Sequence, residues 1–250
     1  MQIPVRIVLI ETSHPGNIGA VARAMKTMGL SELVLVAPKV FPDKEATARA
    51  SGADDILDNA RIESDLPAAI GDCSYIVGAS ARTRSGRWPV VDPKRCAAEL
   101  VARLPASRSA IVMGPEQSGL TNEQLLRCDA LVHIPTAPDY GSLNLAMAVQ
   151  VLCYELRMAA LAAAVTEINQ PELRAGPRAT AAEIEGFHQH LEQLLTQNGF
   201  FNPDHPQQLR RKLRRLFMRA ELDQNEINIL RGVLSSLDPA RLTGRSPSDE

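Results

Sequence analysis

Cysteines and aromatic residues are scarce in this chain, and their scarcity excludes several kinds of site. The sequence of 250 residues has four cysteines, and aromatic residues make up 4% of it. The cysteines, which form no CxxC motif and no Cys/His pairing, are Cys73, Cys96, Cys128 and Cys153. Neither a redox motif nor a zinc site is therefore indicated. We expect small buried hydrophobic residues at these positions, and we expect no metal ion.

Long apolar runs and an excess of charge of one sign are also lacking. No apolar run approaches the roughly 18 residues that a bilayer span requires, and the N-terminus does not have the pattern of a secretory signal. We therefore expect a soluble, cytoplasmic protein without a membrane role. The formal net charge is -2, so a surface for nucleic acid would depend on local clusters of the 27 lysines and arginines.

What the chain does have is a regular alternation of short apolar runs with helical segments. The predicted strands are Val5–Ile10, Leu33–Val36, Tyr75–Ala79, Ala110–Met113 and Leu131–Ile134. Continuous rather than alternating runs are typical of strands that are buried on both faces of a parallel sheet. A helix with Gly29 as its C-cap is predicted between the first two strands. One face of this helix carries Gly16, Gly19 and Arg23, so its arginine stands among residues too small to cover it.

A second unit follows the α/β domain, which we place at residues 1–165. A helix over Leu143–Ala164 is apolar around most of its circumference, which predicts burial in the domain or against another subunit. Prolines and a glycine then predict a linker over 166–180. A helical extension is predicted over 181–241, followed by a disordered tail at 242–250. Its three predicted helices are Ala181–Gln197, Gln207–Leu222 and Glu226–Leu237.

Three glycine-bearing loops follow predicted strands, at the end where open α/β sheets bind ligands. The first runs from Glu11 to Gly19 into the helix that bears Arg23, and its backbone N–H groups suit a phosphate. The second covers Met113–Leu120, and the third covers Ile134–Leu145 with Ser142 near the helix N-cap. None contains a GxGxxG fingerprint or a Walker A motif, so a conventional nucleotide site is not indicated. Taken singly, each loop is also explained by turns and helix capping.

Together, the loops resemble the signature motifs of the SpoU branch of SPOUT methyltransferases. The matching residues are Asn17 and Arg23 in the first motif, Gly114, Glu116 and Gly119 in the second, and Ser142, Leu143 and Asn144 in the third. A catalytic domain followed by a small helical extension resembles the tRNA-modifying members of this branch. The resemblance implies a SPOUT-type α/β knot, in which a parallel sheet carries a deep C-terminal trefoil knot, plus a small all-α C-terminal extension.

The same resemblance implies a function. The expected activity is S-adenosylmethionine-dependent 2'-O-methylation of cytidine or uridine at position 32 of the tRNA anticodon loop. The expected assembly is a homodimer with the active site at the subunit interface. Two alternatives stay open, namely the same chemistry at another tRNA or ribosomal RNA nucleotide, and a knotted RNA-binding protein without catalysis.

Residue roles also follow from the resemblance. The residues implied to hold the cofactor are Ala79, Ser80, Ala81, Gly114, Glu116, Gly119, Ile134, Gly141, Ser142 and Leu143. The residues implied in catalysis are Arg23, Asn17, Glu116 and Asn144. Because a guanidinium is essentially always protonated, we expect Arg23 to orient the ribose and stabilise oxyanion charge rather than act as a base. Glu116 either contacts the sulfonium or holds a neighbouring loop, and we favour the second role. Asn17 and Asn144 either fix the loops around the ribose or simply cap turns.

Two basic clusters, one histidine and Arg23 itself are candidate RNA contacts. The first cluster places Arg82, Arg84 and Arg87 beside the single tryptophan, Trp88, although Trp88 packing on the domain beside solvated arginines is the alternative. The second cluster lies on a cationic amphipathic helix and comprises Arg210, Arg211, Arg214 and Arg215. RNA contact, a solvated face and a membrane surface are its three interpretations. His14, inside the first motif, either touches RNA or cofactor or structures its loop.

Overall fold

The computed structural model describes residues 2–81, 88–104, 106–166, 177–201 and 206–238. The chain divides into two compact units, Met1–Pro171 and Glu172–Glu250. Most of the expected linker and all of the expected tail at 242–250 lie outside the described residues.

The described part of the first unit is built on a seven-stranded parallel sheet. Its strands are β1 (Val5–Ile10), β2 (Leu33–Val36), β3 (Arg61–Glu63), β4 (Tyr75–Ala79), β5 (Val90–Val91), β6 (Ser109–Met113) and β7 (Ala130–Val132). Their order is β3-β2-β1-β6-β4-β7-β5, and every neighbouring pair is parallel. All residues of β1, β2 and β6 are buried, as continuous apolar runs require. The predicted α/β fold with at least five parallel strands is confirmed.

The two edge strands are absent from the sequence prediction. β3 is exposed at Arg61 and Ile62, and β5 is two residues long. An edge strand pairs on one side only and is often short, so it does not need a buried apolar run. The fifth predicted strand is also shifted, because β7 begins at Ala130 and ends at Val132.

Seven helices accompany the sheet in the described part of the first unit. They are α1 (Pro15–Met28), α2 (Lys44–Ala50), α3 (Asp54–Asp58), α4 (Leu66–Ile70), α5 (Pro93–Val101), α6 (Asn122–Leu125) and α7 (Leu145–Thr166). As predicted, α1 ends at Gly29 in the left-handed conformation, with φ of 85°. The glycine face of α1 is covered rather than open. A Cβ on Gly19 would lie 1.9 Å from the carbonyl oxygen of Ala46 in α2, and Arg23 stays exposed.

The apolar helix α7 buries one face in this chain and leaves another exposed. The helix packs against α1 and α5, and its buried residues include Val149, Leu152, Cys153 and Leu156. The large exposed residues are Met147, Tyr154, Met158 and Leu161. The stretch Leu145–Ala164 is long and apolar enough to cross a bilayer by length and composition, which the sequence pattern did not predict. A core helix passes the same test, so this property alone is weak support for a membrane span.

An ion pair between buried Arg6 and partly exposed Asp72 ties β1 to the loop that precedes β4. Arg6 is 2% exposed and donates hydrogen bonds to the Ala69 carbonyl and to Asp72, with 2.9 Å between Nη2 and Oδ2. Arg108 donates to the same Asp72 carboxylate at 2.7 Å. These donors, Arg6 first, hold the pKa of Asp72 well below its usual range.

The four cysteines are free and buried as expected, and burial raises the pKa of Cys96 to about 12.

The described part of the second unit consists of three helices, which confirms the predicted all-α extension. They are α8 (Ala181–Gln197), α9 (Pro206–Ala220) and α10 (Gln224–Ser236). Capping boxes begin α8 at Thr180 and α10 at Asp223. Phe187 of α8 packs edge-on against Phe217 of α9, with 4.7 Å between the ring centroids. A small core therefore holds these helices together, and Ile227 of α10 belongs to it.

Candidate functional site

A cavity of about 670 Å³ lies beyond the carboxyl ends of β4, β6 and β7, beside the first turns of α1 and α7. Its lining includes every residue predicted to hold the cofactor, namely Ala79, Ser80, Ala81, Gly114, Glu116, Gly119, Ile134, Gly141, Ser142 and Leu143. It also includes His14, Asn17 and Asn144. The three motif loops therefore converge on one cavity, although Asn17 of the first and Asn144 of the third are 127 residues apart along the chain.

The loop after β6 needs glycine at both of its ends. A Cβ on Gly114 would lie 2.4 Å from the carbonyl carbon of Gly119 and 2.5 Å from the nitrogen of Leu120. Gly119 itself has φ of 66°, which side chains disfavour. Its N–H donates to the Pro115 carbonyl at 2.8 Å. The glycines thus allow the two ends of this loop to touch each other, which closes one wall of the cavity.

Glu116 is the hydrogen-bond acceptor that joins this loop to the first motif. Its Oε2 accepts from the backbone N–H of Ser13 at 3.1 Å and from the Ser13 hydroxyl at 3.0 Å. Its Oε1 accepts from Asn17 Nδ2 at 2.9 Å and, at 3.5 Å, from the backbone N–H of His14. Partial burial raises the pKa of this carboxyl, but the hydrogen bonds from Asn17, its own backbone and Ser13 outweigh burial, so the pKa is lowered. Glu116 is therefore held as a carboxylate whose two oxygens are both engaged.

The third motif joins the same network through Asn144. Its Nδ2 donates to Asn17 Oδ1 at 3.0 Å, while its Oδ1 accepts from the Ala146 N–H at 2.9 Å. The second bond caps α7, so Asn144 is the N-cap, and Ser142 lies two residues before it. Capping and loop fixation, which the sequence left as alternatives for Asn144, occur together in one side chain. A continuous chain of side chains, Glu116–Asn17–Asn144, links the three motifs.

Arg23 is not brought into the cavity. It lies in α1, downstream of Asn17, and its side chain is exposed. Among the described residues, no hydrogen bond or ion pair of the Arg23 guanidinium is formed, although its backbone carbonyl accepts from Thr27 Oγ1 at 2.8 Å. Its cation is therefore available to a partner outside this chain.

The predicted RNA contacts fall into three groups. His14 is exposed at the cavity, whereas Arg82, Arg84 and Arg87 lie outside the described residues. Trp88 is half-buried, and its buried Nε1 has no partner within the described part of the chain. On α9, Arg210 and Arg214 form ion pairs with carboxylates of α8. Within the described residues, Arg211 and Arg215 form no such pair.

Ser13 and Tyr140 are two residues of the site to which the sequence assigned no role. Ser13 supplies two of the donors to Glu116, and nothing except its place in the first motif could have singled it out. Tyr140 lines the cavity and is 82% exposed, a rare position for a large aromatic side chain. Its sequence signal is weak, because a tyrosine in a loop is as readily explained by packing.

Comparisons with known proteins agree with this geometry. Residues 4–154 match the model of the SpoU rRNA Methylase family, and residues 182–247 match that of the tRNA methyltransferase TrmJ, C-terminal domain. The chain is 49% identical to the tRNA (cytidine/uridine-2'-O-)-methyltransferase TrmJ of Cronobacter sakazakii, over 95% of this chain and 97% of that protein. It is 50% identical to the tRNA (cytidine/uridine/adenosine-2'-O-)-methyltransferase TrmJ of Pseudomonas aeruginosa, over 92% of each. The crystal structure of TrmJ from Z. mobilis superposes with a TM-score of 0.82 at 33% identity, over 94% of this chain and 99% of that one. The chain therefore belongs to the SpoU methylase family and, within it, to the TrmJ group.

Proposed function

We propose that this chain is an S-adenosylmethionine-dependent tRNA 2'-O-methyltransferase that modifies the ribose of cytidine or uridine at position 32 in the anticodon loop. The observation that carries the proposal is the convergence of three motif loops on one cavity, joined by the Glu116–Asn17–Asn144 chain. The names of the TrmJ relatives support the substrate class and the ribose oxygen as the acceptor.

The residues around the cavity fit S-adenosylmethionine. A cavity of about 670 Å³ is within the usual size of a small-molecule pocket, and its walls combine apolar side chains with backbone polar groups. Leu120, Val132 and Ile134 offer an apolar surface, and the segments 79–81, 114–119 and 141–143 would hold the polar parts through their backbones. When bound, S-adenosylmethionine supplies an electrophilic methyl group on a cationic sulfonium.

The roles of the chain's own residues follow from their contacts. Both oxygens of Glu116 are occupied by Ser13 and Asn17, which favours holding the first motif over meeting the sulfonium. The hydrogen bond from Asn144 to Asn17 holds the first and third motifs together. Arg23 orients the target ribose and stabilises the charge that develops on its oxygen, because a protonated guanidinium is a donor and not a base. Alignment of the two reactants then supplies much of the rate.

We propose that the protein forms a homodimer and that the active site lies at the subunit interface. The exposed face of α7 carries Met147, Tyr154, Met158 and Leu161, and such an apolar patch is a common subunit interface. Arg23 is exposed outside the cavity of its own chain, so an active site at the subunit interface would use it across the dimer. The deep trefoil knot belongs to the same proposal and is supported by family membership alone. Residues 181–241 are proposed to bind tRNA in the cytoplasm.

The test compares total tRNA from cells with and without the gene, with ribose methyl groups mapped at single-nucleotide resolution. The proposal expects the modification at position 32 to vanish on deletion and to return with a plasmid copy. Loss at a different tRNA or ribosomal RNA nucleotide would instead support the same chemistry with another substrate. An unchanged map, together with calorimetry that detects no S-adenosylmethionine binding, would refute the proposal.

A further inference from the structure

The basic helix α9 carries two kinds of cation. Arg214 donates to both carboxylate oxygens of Glu185 at 2.8 Å, and each of these side chains is 23% exposed. Arg210 pairs with Glu192. Both glutamates belong to α8, so these two arginines are neutralised inside the unit. Arg214, which is partly buried and bound to both carboxylate oxygens, holds the two helices together, and a paired guanidinium offers little charge to a ligand.

The other cations of α9 lie along a different face of the helix. Arg211, Arg215 and Arg219 recur every four residues, which aligns them in one row with about 6 Å of helix rise between neighbours. Lys212 stands beside the row, and it is exposed together with Arg211 and Arg219. In the described part of the chain, none of the four has a carboxylate within ion-pair distance. We call these four residues the cationic row.

The apolar face of α9 is already used within the unit. Phe217 packs on Phe187, and both belong to the core that includes Ile227. A cationic helix that lies on a membrane needs a free apolar face to bury among lipid chains. The unit itself occupies most of that face, and within the described part of α9 it leaves Leu216 as the exposed large apolar side chain. The row therefore fits a phosphate backbone better than a lipid surface.

We propose that the cationic row contacts the tRNA backbone, whereas Arg214 clamps α9 onto α8 and Arg210 is neutralised by Glu192, so that neither of these two contacts RNA. The inference rests on the proposed function, because it takes tRNA as the polyanion. Contacts between guanidinium groups and phosphates fix position and orientation without reading bases. The row therefore holds the tRNA body while the first unit selects the nucleotide.

The experiment uses the full chain and compares two substitutions on the same helix. The row variant is Arg211→Gln/Arg215→Gln/Arg219→Gln, and the matched control is the charge-neutral pair Arg210→Gln/Glu192→Gln. For each, tRNA affinity is measured over a series of salt concentrations. We expect the row variant to weaken binding roughly tenfold or more and to reduce the slope of log K against log salt by about two to three, because fewer counterions are released. The control should bind within about twofold of the wild type, since an exposed ion pair is worth little.

Further arms separate the alternatives. Arg211→Lys/Arg215→Lys/Arg219→Lys keeps the charge, so it should retain most of the salt slope at an unchanged melting temperature. Arg214→Gln should lower the melting temperature, as a clamp requires. The inference is overturned if the row variant binds tRNA with the wild-type salt slope, or if the lysine variant loses as much tRNA affinity as the glutamine variant. It is also overturned if the row variant loses binding to phosphatidylserine vesicles and keeps its binding to tRNA. Wild-type protein that methylates no tRNA would refute the proposed function instead.

Discussion

Replacing Glu116 by glutamine should damage the site almost as much as replacing it by alanine. The wild-type carboxylate accepts from Ser13 N–H, Ser13 Oγ and Asn17 Nδ2 at 2.9–3.1 Å. A glutamine of the same shape keeps one acceptor oxygen but turns an NH₂ group toward donors. The conservative substitution therefore breaks the link that joins the second motif to the first.

The size of the effect follows from the number of hydrogen bonds and their exposure. A hydrogen bond to a charged group contributes about 1.5–3 kcal/mol, and a donor that regains water loses less than a buried one. Since Glu116 is only partly buried, we estimate a total of about 1–3 kcal/mol for the ordering of the site. That free energy corresponds to roughly 5- to 150-fold in affinity for S-adenosylmethionine.

Isothermal titration calorimetry of S-adenosylmethionine with the wild type, Glu116→Gln and Glu116→Ala checks this prediction. The lowered pKa of Glu116 adds a pH dependence with a definite sign. The carboxylate contributes stability above the ordinary carboxyl pKa of about 4.3, and this contribution is lost as the pH falls through the lower folded value. Wild-type affinity that survives in Glu116→Gln would show that the carboxylate does not hold the loop.

Four further changes give sharp outcomes. Gly114→Ala places a Cβ 2.4 Å from the backbone of Gly119, so thermal unfolding should show a free energy of unfolding lower by about 1–3 kcal/mol or more. In the control Gly141→Ala, the new Cβ meets only Thr136 Oγ1 at 3.5 Å, and the variant should melt like the wild type. Arg23→Ala should lower kcat for methyl transfer by roughly 100-fold or more with unchanged S-adenosylmethionine affinity, and Arg23→Lys should rescue it poorly because lysine lacks the planar fork; a lysine variant with full activity would contradict this. Met158→Glu should yield monomers in sedimentation and no turnover, and an active monomer would refute the interface. Asp72→Asn should lower the free energy of unfolding in urea by about 1–3 kcal/mol at neutral pH, which is less than for a fully buried pair because Asp72 is partly exposed. Since the pKa of Asp72 is depressed, the difference in stability between this variant and the wild type should shrink as the pH falls below about 4.

The central strands could be predicted because burial on both faces leaves a local signature. A continuous apolar run between turn signals, such as Val5–Ile10, is typical of a strand inside a parallel sheet, and β1 occupies those residues. The positions of the cavity loops followed from the strands, because ligand-binding loops of open sheets follow the carboxyl ends. The identity of the ligand did not follow from the pattern, and it was the resemblance of the three motifs that implied it.

Features that depend on packing between distant segments could not be predicted. The cover that α2 provides over Gly19 and the pairing of Arg214 with Glu185 are set by tertiary contacts, which no local pattern encodes. Asn144, rather than Ser142, caps α7, and its amide also donates to Asn17. Both residue types are good N-caps, so propensity alone does not separate them.

The decisive assay is transfer of a labelled methyl group from S-adenosylmethionine to a tRNA transcript by the purified protein. We expect incorporation of label, which nuclease digestion and mass spectrometry would locate on the 2' oxygen of the cytidine or uridine at position 32. Arg23→Ala should slow this transfer by roughly 100-fold or more. A wild-type protein that labels a base instead of a ribose, or that labels no RNA at all, would contradict the proposed function.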